Sequence, residues 1–199
     1  INIDDPVEKY IPEFANLMVA VDSDNKSIAI SGESDFDCPH GLVKMDSIMT
    51  IKHLFSHRAG FYYALTKSSC LNKKFASMNI IRAKNGEELI KILAKLPLIQ
   101  QPGEGYFYGM NTSVLGLLLE RVRGKTLHQI FIDRIVKPYN IDGMSYIKPK
   151  GVSLIPSFTG RDGTLRKVLD GELDIYGGEL PMYLVENELF LGGEGMLGT

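Results

Sequence analysis

The sequence predicts an α+β fold in which helices dominate and the strands are short. Three observations lead there. Between Thr50 and Pro138 apolar residues recur at helical period and are bracketed by capping residues. The β-prone runs are brief, as in "MVAVDSDNKSIAI" at 18–30. A content of 44% hydrophobic and 23% charged residues over 199 positions suits a chain that buries a core, as a single domain over 1–199 or as the middle portion of a larger one.

The elements follow in order. In "DDPVEKYIPEF" Asp5 reads as an N-cap, Pro6 as the first helical residue and Pro12 as the stop of one short helix. The run at 18–30 places two β-prone segments around a polar Asp-Ser-Asp-Asn-Lys turn, which predicts a small hairpin. "TIKHLFSHRAG" has Thr50 as cap, Leu54 and Phe55 as the buried side and Gly60 as the exit. Asn85 and Glu88 have capping-box spacing ahead of a Leu89, Ile92, Leu93, Leu96 stripe that Pro97 ends. Asn111 reads as the cap of "TSVLGLLLERVRG", with Val114, Leu115, Leu118 and Val122 on one face and Gly124 at the C-terminal turn. Thr126 and Gln129 form another capping box before Leu127, Ile130, Phe131 and Ile135, up to Pro138. The short link between these last two helices predicts an antiparallel pair. Beyond Gly151 short apolar runs are broken by Gly, Pro and Asp.

Composition excludes several classes of function. A net charge of −2 with scattered Lys and Arg offers no basic field for nucleic acid. Two cysteines, Cys38 and Cys70, allow at most one disulfide within the chain and exclude a disulfide-dense scaffold. No apolar run is long enough to span a membrane.

Four blocks carry a resemblance. "DDPVEKYIPEF", "MTIKHLFSHRAGF", "QPGEGYFYGMNTSVLGLLLERVRGKTL" and "GGEGMLGT" occur in this order. They resemble the corresponding blocks of the serine β-lactamase-like superfamily, which contains class C β-lactamases, DD-peptidases and class VIII carboxylesterases. The flavour is that of the esterase-like members. The resemblance implies a β-lactamase/transpeptidase-like fold, of which this chain holds mostly the helical region with short strands of an antiparallel sheet. It also implies a Ser-x-x-Lys nucleophile, a tyrosine that shuttles protons and a Lys-Thr-Gly strand lining the pocket. A serine hydroxyl becomes a nucleophile when a base takes its proton, and a lysine one helical turn on can reach it. A tyrosine beside that lysine can pass a proton to the leaving group, and backbone N–H groups hold the oxyanion.

Tyr108 is the matching tyrosine, following the Pro102-Gly103 turn. An arbitrary tyrosine in an aromatic cluster is a packing residue; the block context favours the catalytic reading. The family's Asn two places later is Met110 here, and Asn111 comes one place after that. This departure weighs against penicillin-like amide recognition and for an esterase. Asn111, Gly192 and Gly193 are the candidate substrate-binding residues, the glycines as a tight backbone approach near the pocket floor.

The nucleophile is not found by spacing. Ser23 with Lys26 lies in a turn, and Ser145 with Lys148 lies in an extended run where i and i+3 do not share a face. Cys70 with Lys73 repeats the spacing with a thiol, and an incidental cysteine is the favoured reading. In the family the Ser-x-x-Lys helix precedes the first of these blocks and the Lys-Thr-Gly strand follows the last. The expectation is therefore an internal fragment that does not turn over substrate alone.

Other sites weigh less. His53 and His57 have an i, i+4 spacing without the glutamate of HExxH, and fit better as one packed histidine and one at a helix end. "GGEG" lacks a following Lys-Ser or Lys-Thr, and Glu194 would repel phosphate. Asp4, Asp5, Glu87 and Glu88 read as capping charges. No metal or cofactor is implied. The leading expectation is a serine hydrolase, an esterase working through an acyl-serine on a small-molecule ester or amide. The alternatives are a β-lactamase or DD-peptidase, an inactive ligand- or peptide-binding member of the same fold, and a helical interaction module.

Overall fold

Tyr10 and Asp5 begin the chain's packing, and the first element differs from the expected helix. In the computed structural model, which describes residues 1–29, 38–153, 155–156, 158–159, 163–168 and 188–198, the region forms two 3₁₀ turns, Val7–Lys9 and Pro12–Phe14. Pro12 is the first residue of the second turn and not a stop. It lacks an N–H and pushes Ile11 out of the helical region, to φ −128° and ψ 77°, so one continuous helix cannot form. Asp5 caps nothing helical; its carboxylate accepts from Asn2 N–H, Lys9 and the Tyr10 hydroxyl. Val7, Ile11 and Phe14 are buried, which sets these turns on the core.

Strand β1 (Met18–Val21) pairs antiparallel with β2 (Gly41–Lys44), Met18 opposite Lys44 and Val21 opposite Gly41. The hairpin expected over 18–30 forms as a short return beside this ladder. After the turn at Asp22, whose Oδ1 accepts from Asp24 and Lys26 N–H, Asp22 N–H donates to Lys26 O, Ser27 bridges Val21 and Ile28 N–H donates to Ala20 O; Ile30 lies outside the described residues. Leu98 also pairs with β1, in parallel at Val19. A second small pair, β3 (Phe158–Thr159) with β4 (Arg166–Lys167), lies apart from the first.

Helix α1 (Ile51–Phe55) starts at a capping box in which Thr50 Oγ1 accepts from His53 N–H and His53 Nδ1 from Thr50 N–H. Ile51 and Leu54 are its buried residues and Phe55 is exposed, contrary to the expected face. The helix exits at His57 with φ +52°; Gly60, with φ +94°, serves a close approach to the Gln100 carbonyl instead.

Helix α2 (Ser69–Ser77) is capped by Ser68, and α3 (Gly86–Leu93) by Asn85, which accepts from Glu88 N–H. The box at α3 is half formed: Glu88 takes Lys84 N–H and not that of Asn85. Cys38 and Cys70 are joined as a disulfide between the segment before β2 and α2, so Cys70 carries no thiol for nucleophilic chemistry. Closing a loop of 32 residues is worth about 4 kcal/mol. Replacing both cysteines by serine is expected to lower the unfolding free energy by about that amount, read from denaturant unfolding curves fitted for both midpoint and m, with m rising as the unfolded chain is released.

Helix α4 (Asn111–Arg123) ends at Gly124, left-handed with φ +59°. Met110, not Asn111, is its N-cap residue. Val114, Leu117 and Leu118 face the core, while Val122 is exposed. Arg121 ties α4 to the N-terminal turns and to α3 through Glu13 at 2.7 Å and Glu87 at 2.6 Å. Helix α5 (Leu127–Phe131) has the expected Thr126–Gln129 box and packs on α4, with Glu120 accepting Leu127 N–H at 2.7 Å. It runs on through a wide turn at Ile132–Val136 into Lys137–Tyr139, so Pro138 lies within it; Ile135 is exposed.

Candidate functional site

Two segments are laced together at the open side of the core. Residues 57–63 follow α1, and residues 98–110 lead into α4. Ile99 N–H donates to Gly60 O, Gly103 N–H to Arg58 O and Phe107 N–H to His57 O, at 2.8–3.0 Å. The Pro102-Gly103 turn puts Gly103 at φ +90°, with the His53 ring against it. A Cβ at Gly109 would lie 2.1 Å from the Phe61 carbonyl, so glycine is what lets the two backbones meet beside Tyr108.

Tyr108 is 59% exposed. Its ring stacks on His57, with centroids 5.0 Å apart and planes at 28°, and meets Tyr63 at 5.5 Å. Tyr106 touches the His57 ring at 6.0 Å and is also exposed, whereas Phe107 packs on the core. Asn111 is fully buried and turns its Nδ2 to His57 Nδ1 at 3.2 Å. Asn111 therefore meets the site through the His57 ring rather than at an open surface.

Gly192 and Gly193 run against the first turns of α4. A Cβ on Gly192 would come within 2.3 Å of Thr112 O, and one on Gly193 within 3.0 Å of Thr112 Oγ1 and 3.5 Å of the Tyr63 hydroxyl. Leu189, Phe190 and Leu191 anchor the segment in the core. The fold thus gathers Tyr108, Asn111, Gly192 and Gly193 around Tyr63 and His57.

Glu194 is the residue that spacing did not single out here. Its Oε1 is buried without a protein partner, and burial pushes its carboxyl up to about 7. Burial, then the charges of Glu194 and Tyr108, raise the Tyr63 phenol above its usual range. Burial lowers His57, which favours its neutral ring. The signal for Glu194 was an acid set among glycines, but only the fold shows what faces it.

Ser23 and Ser145 stay away from this cluster's chemistry. Ser23 sits exposed in the turn after β1. Ser145 bridges Leu197, and its Oγ accepts from Ile147 N–H. His53 and His57 do not share a helix face, because α1 ends at Phe55. Among the described residues no cluster of three His, Cys, Asp or Glu is placed to hold a metal, and no helix is long and apolar enough to cross a membrane.

Several known proteins are similar to this chain. Lovastatin esterase of Penicillium rubens is 29% identical over 136 residues, 65% of this chain and 34% of that protein. Acyltransferase mokF of Monascus pilosus is 25% identical over 173 residues, 87% of this chain and 38% of its own length. Among solved structures, EstCE1, described as a hydrolase with promiscuous acyltransferase activity, superposes with a TM-score of 0.70 at 22% identity, over all of this chain and 49% of that one. Simvastatin synthase LovD from Aspergillus terreus does so with a TM-score of 0.67 at 21% identity, over all of this chain and 45% of that one. This chain spans about a third to a half of the length of these proteins. The structural likenesses establish a β-lactamase/transpeptidase-like fold. The Beta-lactamase family profile matches residues 1–154, and the chain belongs to that family of serine hydrolases and acyltransferases.

Proposed function

We propose that this chain forms the proton-handling wall of an active site that cleaves or transfers the acyl group of a small-molecule ester through an acyl-serine intermediate. The observation that carries the reading is Tyr108: a tyrosine in the matching sequence block, largely exposed, yet braced by the rings of His57 and Tyr63. The nucleophilic serine and its lysine are assigned to a segment outside these 199 residues. In the acylation step the serine oxygen bonds to the ester carbonyl carbon while its proton passes by way of the neighbouring lysine to the Tyr108 oxygen, and the carbonyl oxygen takes up the negative charge. As the intermediate collapses the ester C–O bond breaks, and Tyr108 passes a proton to the departing alkoxide. Water or a second alcohol then takes the acyl group, giving hydrolysis or transfer. Gly192 and Gly193, whose lack of side chains lets the backbone lie against the first turn of α4, form the floor of the cleft in this reading.

Esterase chemistry is favoured over amide chemistry by Met110, which occupies the place of the family's asparagine and is fully buried. It offers no amide group to a substrate. The same residue favours the second reading, a binding protein of this fold without turnover.

Intact-mass analysis of the full-length protein, quenched during hydrolysis of p-nitrophenyl butyrate, separates the two. An acyl adduct mapped to a serine, with release of p-nitrophenol, is the expected result. Saturable binding without adduct or release would establish the silent member instead.

A further inference from the structure

His57 has no part in the steps above, yet it holds the residues on both sides of Tyr108. Its carbonyl accepts Phe107 N–H at 2.9 Å, and its Nδ1 faces Gly109 N–H at 3.5 Å and Asn111 Nδ2 at 3.2 Å. A backbone N–H only donates, so the Gly109 contact uses the lone pair on Nδ1 and leaves the ring proton on Nε2. Between those two contacts the imidazole lies nearly parallel to the Tyr108 ring, 5.0 Å away at 28°. An exposed tyrosine has little packing to choose its rotamer, and here the ring of His57 and the edge of Tyr63 are what it has.

The backbone gives a second, independent indication. His57 is at φ +52°, a left-handed conformation that glycine or asparagine adopts more readily than histidine. That location is reached because α1 ends at Phe55 and the chain must turn back along residues 103–109. Histidine is among the non-glycine residues that enter this region, and here it brings an aromatic ring with a nitrogen acceptor to the turn.

We propose that His57 is a positioning residue for Tyr108, fixing the phenol plane by stacking and fixing the flanking backbone through Nδ1, with the buried Asn111 holding the imidazole in turn. This deepens the reading of Tyr108 as the proton-transfer group and rests on it. Misplacement of a catalytic group by about 1 Å can lower rate by about a hundredfold.

Two substitutions in the full-length protein divide the two functions of the side chain. His57→Asn suits the positive φ and retains an acceptor close to Nδ1, but has no ring. His57→Phe keeps the ring and removes the acceptor. Steady-state kinetics on p-nitrophenyl butyrate and ¹³C spectra of ring-labelled tyrosine are recorded for both, with the Tyr108 signal identified by its loss in Tyr108→Phe. Each variant is expected to lower kcat about tenfold to a hundredfold with KM within about twofold, and to move or broaden the Tyr108 signal. Combining either with Tyr108→Phe is expected to cost nothing beyond Tyr108→Phe alone. Wild-type kcat and an unmoved Tyr108 signal in folded His57→Asn would overturn the positioning role while leaving the tyrosine assignment intact. If Tyr108→Phe itself keeps full activity, the tyrosine assignment fails, and an unmoved signal in either histidine variant still decides the placement of the ring.

Discussion

Tyr108→Phe in the full-length protein is expected to lower kcat on a p-nitrophenyl ester by about 10²–10⁴, with KM changed only a few-fold. The substitution removes one oxygen and leaves the ring that stacks on His57 and Tyr63, so the braced geometry of the wall survives. Because the residue is 59% exposed, little buried surface is at stake and the unfolding midpoint should not move. Tyr106 provides the comparison. It is also largely exposed, its ring lies 6.0 Å from the same imidazole at 59°, and it lacks the matching place in the block. Tyr106→Phe is expected to keep kcat within about twofold. Equal losses in the two variants would mean that the cleft responds to aromatic hydroxyls generally and that Tyr108 has no special place in proton transfer.

What the sequence made legible was local. The Thr126–Gln129 capping box and the Gly124 helix end are written within a few residues of the structure they produce, and both form. Interactions that depend on distant chain were not legible. Asn111 has the chemistry of a cap and stands at the start of a helix, but His57, 54 positions away, takes its side chain inward and leaves Met110 at the cap. The segment after the Asp22 turn has strand character, yet β1 takes 41–44 as its ladder partner and Leu98 as a further neighbour. Phe55 fits a buried stripe, but α1 spans only five residues and its one buried turn is decided by Ile51 and Leu54. At the site, resemblance picked out Tyr108 and the glycines, while the stacked imidazole and the buried Glu194 became visible only when residues 57, 63, 108 and 194 were brought together by the fold.

Stability is expected to carry a signature of two buried carboxyls, and the sign follows from their direction. Burial raises Glu120, in the α4–α5 contact, and Glu194, beside Tyr63, each from the usual 4.5 to about 7. At Glu120 the charges of Glu87 and Glu188 add to burial, and the hydrogen bond from Leu127 N–H opposes it. Below about pH 4.5 both carboxyls are protonated in the folded and unfolded chain and cost nothing. Between 4.5 and 7 the unfolded chain releases these protons and the folded chain keeps them, so their contribution to stability falls as pH rises and levels off above 7. At about 1.4 kcal/mol for each pH unit, discounted for the solvent each still meets, the loss is on the order of 2 kcal/mol per carboxyl. The half-buried His53, His57 and His128 act in the opposite direction, since burial lowers each and acid must charge them. The raw pH profile therefore mixes both, and the informative quantity is the difference between variant and wild type. Glu120→Gln keeps an acceptor for Leu127 N–H, and Glu194→Gln keeps the side-chain volume. In thermal unfolding between pH 5 and pH 8, each is expected to gain a few °C over wild type as pH rises, with the two gains adding because the sites share no hydrogen bond. Parallel curves for wild type and both variants would mean that these carboxyls stay hydrated in the folded chain, and that Glu194 lies outside the buried electrostatics of the Tyr63–Tyr108 wall.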